Sequence, residues 1–502
     1  MLYGQTLGRA ARFFPHRPAV VDGERRVTYG ELAARVDRLA KLLTARGFVP
    51  GDRLAFHLLN SLEMVELIFA CCRLGVVAVP LNTRYAAAEL DETLRDAEPR
   101  GFVRHAELPE PAFKAEWQVV VGDSALSEVR DCRLPDPPYD REALFGLFYT
   151  SGTTGRAKGV MLTHGNLFAN LLHLQDWAPA GEDDVFLHVA PMFHLADFPM
   201  TLLGAARGLV QVTLPRFDPQ SLCETIQRER VTTTVMIPTM INLITQWPGL
   251  GGFDLGSLRH LLYGGSPVAP EVIKRTREKL PGVRLAQGYG LTETSPLLTA
   301  LDDADHTGDR VLSCGRPVWG VELAIVDAEG KPAPTGTAGE IIARGANVMR
   351  GYWRQPEATR DAFVDGQAGG WFRTGDVAYQ DEDGFVYHVD RRKDMIVTGG
   401  ENVYSSEVEA ALYSHPCVKE AAVIGIPDEK WGEMVMACVA LKDGTALTAE
   451  ELIEHCRTRL ANYKVPRRIE FIAGELPKSG TNKILKRKLR EPYWKDAVRR
   501  VG

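Results

Sequence analysis

The stretch from which this chain can be interpreted is YTSGTTGRAKG, residues 149–159, which follows an apolar run at 143–148. Its glycines let backbone N–H groups approach an anion, its hydroxyl side chains donate hydrogen bonds, and Lys158 supplies a positive charge. It is not a Walker loop, which has Gly directly before its lysine and Ser or Thr directly after it. An ordinary surface turn is the alternative, since Gly, Ser and Thr are common in turns. The density of donors favours a polyphosphate site, in a loop that joins two strands.

The length and composition of the chain are typical of a multidomain globular protein. With 502 residues the chain exceeds the size at which one hydrophobic core stops growing, so two or more domains are expected. Hydrophobic residues make up 45% and charged residues 25%, as in ordinary globular domains. The net charge of −6 argues against a nucleic-acid partner, which would require a basic face.

Cysteines and hydropathy indicate a cytoplasmic location. The eight cysteines are scattered, without a Cys-x-x-Cys pair, so neither a disulfide framework nor a zinc site is indicated. Residues 1–18 have no apolar core and do not resemble a secretory signal. No run reaches the roughly 18 apolar residues that a membrane span needs. A peripheral membrane contact and a homodimer stay open.

The order of apolar patterns predicts an α/β multidomain fold. Residues 28–47 have helical periodicity behind a capping Thr28, and residues 53–80 read as strand, helix and strand. From residue 321 the pattern changes to short strands and turns, which indicates a β-rich subdomain. The predicted domains are a large N-terminal region at 1–390 and a small mobile α+β domain at 391–502, with a hinge near 391–394.

Four further blocks contain side chains suited to chemistry. Gly264-Gly265-Ser266-Pro267 follows a predicted strand, where the backbone can approach a flat ligand. The block 289–293, YGLTE, combines an aromatic ring, a hydroxyl and a carboxylate. Asp376 in Thr-Gly-Asp can accept from two hydroxyl groups, and Lys483 ends a turn-rich loop near the C-terminus. Each block alone is weak, because isolated turns of this kind are common on surfaces.

Taken together, these blocks resemble the adenylate-forming superfamily of acyl-CoA synthetases, peptide-synthetase adenylation domains and luciferases. The resemblance covers nearly the whole chain and is closest to bacterial fatty acyl-CoA ligases. The matching stretches are YTSGTTGRAKG (149–159), PMFH (191–194), YGGSP (263–267), YGLTE (289–293), GYW (351–353), WFRTGD (371–376), DRRKDMIVTGGENV (390–403) and PKSGTNKIL (477–485).

The resemblance implies a nucleotide site for ATP and Mg²⁺. Thr292 is expected to contact phosphate, Glu293 to position Mg²⁺, and His194 to line the carboxylate pocket. The residues expected around the phosphates, the adenine and the ribose are Thr150, Ser151, Gly152, Thr153, Thr154, Gly155, Lys158, Gly264, Gly265, Ser266, Tyr289, Gly290, Asp376 and Arg391.

It also implies a two-step reaction of a small-molecule carboxylic acid, ATP and CoA. Lys158, Lys483 and Mg²⁺ would offset the repulsion between the anionic acid and the α-phosphate during adenylation. The C-terminal domain would then rotate about Lys393, withdrawing Lys483 and admitting CoA along Gly399, Gly400 and Glu401. Ala157, Asn482 and Ser405 depart from the family pattern, and none removes a functional group.

A medium- or long-chain fatty acid is the leading prediction for the acid, because GGENVY (399–404) and IPDEKWGE (426–433) most resemble bacterial fatty acyl-CoA ligases. The resemblance also places Gly288 at the floor of the acyl pocket, where it is expected to leave space. The nearest alternative is an aryl or aryl-propenoic acid, and a third is loading of a carrier protein. A serine acyl-enzyme is disfavoured because Ser-x-x-Lys is absent. A non-catalytic nucleotide binder would not need Lys483. Apolar residues available for a tunnel are Phe193, Leu195, Phe198, Met200, Leu297 and Leu298.

Overall fold

The structure is a computed structural model that describes residues 2–122, 134, 140–150, 157–178, 181–391, 394–398, 401–428, 430–479 and 483–494. Within these residues, no helix has the length and apolar character needed to cross a lipid bilayer. The helices are α1 (Leu2–Gln5), α2 (Leu7–Phe13), α3 (Tyr29–Ala45), α4 (Leu62–Leu74), α5 (Ala87–Ala97), α6 (His164–Trp177), α7 (Phe198–Arg207), α8 (Pro219–Glu229), α9 (Pro238–Gln246), α10 (Pro270–Lys279), α11 (Pro356–Asp361), α12 (Ser405–Tyr413), α13 (Ala449–Arg457) and α14 (Lys486–Trp494).

Strands alternate with these helices in the N-terminal region and dominate after residue 315. This is the mixed α/β architecture that the sequence predicted. The strands are β1 (Pro18–Asp22), β2 (Arg25–Thr28), β3 (Arg53–His57), β4 (Val77–Pro80), β5 (Gly101–Arg104), β6 (Trp117–Val120), β7 (Leu144–Thr150), β8 (Lys158–Thr163), β9 (Val185–His188), β10 (Val210–Thr213), β11 (Thr233–Met236), β12 (His260–Gly264), β13 (Arg284–Gly290), β14 (Leu297–Leu301), β15 (Arg316–Pro317), β16 (Val321–Val326), β17 (Gly339–Gly345), β18 (Gly351–Tyr352), β19 (Phe372–Gln380), β20 (Val386–Arg391), β21 (Ile396–Thr398), β22 (Glu401–Val403), β23 (Val418–Asp428), β24 (Gly432–Leu441) and β25 (Arg468–Phe471).

Local sequence signals set the ends of the first helices. Thr28 and Glu31 form a reciprocal capping box at the start of α3. The Ser61 hydroxyl accepts from the Met64 N–H at the start of α4. That helix ends at Gly75, whose φ of 69° is left-handed and closes the helix. The second strand predicted within residues 53–80 then begins at Val77.

Two large sheets form the N-terminal region. One has the order β18-β8-β7-β4-β3-β5-β6, and its β4, β3, β5 and β6 run parallel. The other has the order β15-β14-β13-β12-β11-β9-β10-β1-β2, with a parallel centre from β13 to β1. One hydrophobic cluster contains side chains from both sheets and from α3, α4 and α7. The two sheets therefore share a core and act as a single support for the site.

Two smaller sheets follow. The order β16-β17-β19-β20 is antiparallel and forms the predicted β-rich subdomain. The C-terminal sheet has the order β22-β21-β24-β23, with β25 parallel to β24. Its side chains pack into clusters made only of residues from 396 onward, together with α12 and α13. The C-terminal domain thus has its own core, while the boundary at 390/391 stays a prediction.

Asn60 joins the two large sheets beside the predicted carboxylate pocket. Its side-chain amide donates to the carbonyl oxygens of His188 and Ala190, at 3.1 and 2.9 Å. Its side-chain oxygen accepts from the Met192 N–H at 2.8 Å. Asn60 is 4% exposed, so water has little access to these backbone groups and could not easily replace its hydrogen bonds. This one side chain fixes the segment that leads to His194.

We expect Asn60→Ala to lower the free energy of unfolding by about 3 kcal/mol, because it leaves buried backbone groups without partners. Urea denaturation followed by tryptophan fluorescence measures the change. Gln220→Ala is a matched control, because the Gln220 amide donates to Glu224 on an exposed surface. Its effect should stay within about 0.5 kcal/mol. Equal effects of the two substitutions would contradict this role of Asn60.

Candidate active site

The predicted phosphate loop joins two antiparallel strands. Thr150, the last residue of β7, pairs directly with Lys158, the first residue of β8. The hairpin therefore brings both ends of the loop to the same edge of the sheet, as the sequence predicted. The loop residues on which predictions fell, Ser151, Gly152, Thr153, Thr154 and Gly155, lie outside the described residues.

Glu293 and Lys158 both contact the same tyrosine, Tyr352. Thr292 and Glu293 lie in a short 3₁₀ turn that follows β13. The Tyr352 hydroxyl donates to Glu293 Oε1 at 2.9 Å, and Lys158 Nζ lies 4.8 Å from the centroid of the Tyr352 ring. Burial and the Glu293 carboxylate raise the pKa of Tyr352, so the phenol keeps its proton. Tyr352 lies in the GYW motif at 351–353, but no role was predicted for it from the sequence.

The 264–266 segment begins at the last residue of β12, where its backbone lies close to that of β13. A β carbon at Gly264 would lie 2.1 Å from the Gly288 carbonyl oxygen on β13, so only glycine fits there. Gly265 has a φ of +80°, in the left-handed region that favours glycine. These two constraints bend the chain sharply at the carboxyl end of β12. Ser266 follows directly, where ligands bind in open α/β sheets.

Tyr289 and Asp376, predicted for the adenine and the ribose, contact each other. The Tyr289 hydroxyl donates to Asp376 Oδ2 at 2.8 Å, and the Asp376 carboxylate is 1% exposed. Burial and Asp376 raise the pKa of Tyr289. Gly290 follows Tyr289 at a β-bulge of β13, and the Arg391 backbone pairs with Asp376 across β19 and β20. Four predicted nucleotide residues therefore lie close together in three dimensions.

Lys483 of the C-terminal domain reaches the N-terminal region. The Ser479 N–H donates to the Lys483 carbonyl at 2.7 Å, and the Lys483 N–H donates to Ser479 Oγ at 3.1 Å. Arg84 Nη1 donates to the Ser479 carbonyl at 2.9 Å across the two domains. The position of a β carbon at Gly265 lies 3.7 Å from Lys483 Nζ. The side chain thus extends over the 264–266 segment.

His194 is also within electrostatic reach of Lys483. Burial and the positive charge of Lys483 lower the pKa of His194 to about 3. The imidazole is therefore neutral at physiological pH. Its Nδ1 accepts from the Ala196 N–H at 3.1 Å, which leaves the ring proton on Nε2. In this form His194 can donate a hydrogen bond to an oxygen of a substrate.

The predicted CoA path is described only in part. Lys393, Gly399 and Gly400 lie outside the described residues. Glu401 is the first residue of β22, is exposed, and pairs with Thr398 of β21. The structure therefore places Glu401 on the surface of the C-terminal domain, and the role of the hinge and the path stays a prediction.

The expectation that Gly288 leaves open space was wrong. A β carbon at this position would lie 2.7 Å from Leu297 Cδ1 and 3.0 Å from Trp177 Cζ2, so neighbours already fill that side. The Trp177 indole, at the end of α6, is 7% exposed. The apolar residues considered for a tunnel are all buried in core clusters: Phe193, Leu195, Phe198, Met200, Leu297 and Leu298.

Comparison with known proteins agrees with this geometry. The AMP-binding enzyme family matches residues 7–353, and the AMP-binding enzyme C-terminal domain matches residues 407–483. The chain belongs to this family. Its similarity to acid–thiol ligases extends over almost its full length, and we therefore describe it as an AMP-forming ligase that couples acids to CoA.

Individual relatives act on different acids. A feruloyl-CoA synthase of Amycolatopsis sp. is 41% identical, over 97% of this chain and 98% of that protein. A long-chain-fatty-acid–CoA ligase of Mycobacterium tuberculosis is 35% identical over 98% of both chains. The o-succinylbenzoate CoA synthetase of Bacillus subtilis, solved with its acyl-adenylate intermediate, is 32% identical with a TM-score of 0.85, over 96% of this chain and 97% of that one.

The described residues suit ATP and a divalent metal. That same Bacillus enzyme has also been solved with ATP and a magnesium ion. Here Glu293 presents a carboxylate, the hard oxygen ligand that Mg²⁺ prefers. Lys158, beside the Tyr352 ring, and Lys483, beside Gly265, each add a positive charge, and Asp376 can accept from a diol. Bound Mg²⁺ would neutralise phosphate charge, and Glu293 is the residue that would hold it.

We expect Lys483→Ala to lower the adenylation rate by about 10²–10³-fold, because it removes a preorganised charge at the reacting carboxylate. Acid-dependent pyrophosphate release measures this step. Thioester formation from preformed acyl-AMP and CoA should change little. Lys488→Ala is the control, since Lys488 is an exposed lysine of the same segment. An equal loss in both half-reactions would contradict the assigned role.

Proposed function

We propose that this chain activates an aryl-propenoic acid as its acyl-adenylate and transfers the acyl group to CoA. The carrying observation is the filled space beside Gly288, where Trp177 and Leu297 pack against the backbone of β13. Side chains packed against this position leave less room for an extended alkyl chain than for a short, flat acid. This acid class is the nearest alternative to a fatty acid predicted from the sequence.

Two further observations support a compact acid. The six apolar side chains considered for a tunnel are engaged in the core, so a long alkyl chain would have to displace packed residues. Displacing close-packed side chains costs free energy, because protein interiors have few voids. The feruloyl-CoA synthase is also more similar to this chain than the fatty-acid ligase, at 41% against 35% identity.

The proposed reaction consists of two nucleophilic displacements. A carboxylate oxygen of the acid attacks the α-phosphorus of ATP, and pyrophosphate leaves. The thiol sulfur of CoA then attacks the acyl carbon, loses its proton, and AMP leaves. Lys483 and Lys158 offset the repulsion between the anions in the first displacement. The neutral His194 donates from Nε2 to the acid and holds it near Lys483.

A medium- or long-chain fatty acid remains the second candidate. The observation in its favour is the 35% identity, over 98% of both chains, with a long-chain-fatty-acid–CoA ligase. A tunnel that buries the alkyl chain should add about 0.8 kcal/mol for each CH₂ group, roughly fourfold in kcat/KM. Cytoplasmic location, a homodimer and peripheral membrane contact stay predictions from the sequence.

We expect aryl-propenoic acids to give the highest kcat/KM, by about tenfold or more over straight-chain acids, the size of effect that a pocket misfit produces. ATP- and Mg²⁺-dependent pyrophosphate release across both acid series, with thioester measured in the presence of CoA, checks this. Rising kcat/KM with alkyl chain length would contradict the aryl proposal and support the fatty acid. Acyl-AMP without thioester would indicate a carrier protein as the acceptor.

A further inference from the structure

Backbone contacts hold Tyr352 in place independently of its hydroxyl group. The residue ends β18, which pairs with β8, and its N–H donates to Thr359 Oγ1 at 2.9 Å. On either side of it, the Met349 N–H donates to the Glu293 carbonyl at 2.8 Å and the Trp353 N–H donates to the Gly159 carbonyl at 2.7 Å. The segment is therefore attached to both β8 and the 292–294 turn without the phenol.

The Tyr352 hydroxyl adds a contact that the fold does not need. It donates to Glu293 Oε1 at 2.9 Å. A carboxylate held at one oxygen loses rotational freedom, and its second oxygen then has a defined direction. Among the described residues, none donates a hydrogen bond to Glu293 Oε2. The hydroxyl thus orients the carboxylate while leaving one oxygen able to coordinate a cation.

The Tyr352 ring has a separate contact with the phosphate-loop lysine. Lys158 Nζ lies 4.8 Å from the ring centroid, within the range of a cation–π interaction. The ring is 9% exposed, so the interaction is partly shielded from water. One side chain therefore contacts both Lys158 and Glu293, although these residues come from distant parts of the sequence.

We propose that Tyr352 is a positioning residue that orients the Glu293 carboxylate for Mg²⁺ through its hydroxyl and places the Lys158 ammonium through its ring. The proposal rests on the ATP-dependent adenylation chemistry proposed above, but not on which acid is activated. Residues that hold a metal ligand by a hydrogen bond typically contribute 10–100-fold to metal affinity. The hydroxyl and the ring make separable contributions, which Tyr352→Phe and Tyr352→Leu distinguish.

The test is isothermal titration calorimetry with α,β-methylene-ATP, which cannot release pyrophosphate, so binding is measured without turnover. Mg²⁺ is titrated into the full chain saturated with this analogue. We expect Tyr352→Phe to weaken Mg²⁺ binding by about 10–100-fold. The affinity for the analogue without metal should be unchanged, because the ring remains beneath Lys158. Tyr352→Leu should in addition weaken binding of the analogue in the absence of metal by about two- to fivefold.

Tyr149→Phe is the matched control. The Tyr149 hydroxyl donates to Asp96 Oδ2 at 2.8 Å, so the same kind of phenol–carboxylate bond is lost next to the same hairpin. Asp96 lies in α5, away from the 292–294 turn in the chain. Tyr149→Phe should leave Mg²⁺ binding at the wild-type value, and a general loosening of the hairpin would instead weaken it in both variants.

The possible outcomes separate this inference from the proposed function. Wild-type Mg²⁺ affinity in a folded Tyr352→Phe variant, or an equal loss in Tyr149→Phe, would overturn the role of the hydroxyl. If Tyr352→Leu and Tyr352→Phe bound α,β-methylene-ATP with equal affinity in the absence of metal, the role of the ring would be overturned. A wild-type chain that bound neither the analogue nor Mg²⁺ would contradict the proposed function itself, and this inference with it.

Discussion

The approach of Lys483 to the 264–266 segment is the interaction on which the active site depends. Lys483 belongs to the C-terminal domain, which has its own core, whereas Gly265 and His194 lie in the N-terminal region. The charge that Lys483 is predicted to provide for adenylation would therefore come from across a domain boundary. The neutral state of His194 follows from the same approach, since Lys483 and burial together disfavour the imidazolium.

Among the described residues, side chains of the N-terminal region donate hydrogen bonds to backbone carbonyls of the C-terminal domain. Arg84 donates to the Ser479 carbonyl, and the Asn242 amide donates to the Lys419 carbonyl at 3.2 Å. Hydrogen bonds of this kind contribute about 1 kcal/mol each, which a rotating domain can exchange for other contacts. By contrast, Tyr289 and Asp376, which are predicted to contact the nucleotide, lie on β13 and β19 of the N-terminal region. The arrangement suits a fixed nucleotide site and a removable lysine.

Local signals in the sequence were sufficient for much of the fold. The cap at Thr28 and the two strands joined by the predicted phosphate loop were inferred from residues close in the chain, and both were confirmed. Pairs distant in sequence could not be predicted in this way. The contact of Tyr352 with Glu293 depends on how β18 docks beside β8. The expectation for Gly288, on β13, failed because Trp177 of α6 fills the space beside it.

The most direct test of this account is to fix the domain contact covalently. Arg84→Cys and Ser479→Cys can be joined by a short cleavable bis-maleimide, with the single-cysteine variants treated identically as controls. The cross-linked enzyme should release one equivalent of pyrophosphate and retain acyl-AMP, without forming the CoA thioester until the linker is cleaved. Thioester formation at an undiminished rate in the cross-linked enzyme would contradict the alternation of the C-terminal domain between the two steps.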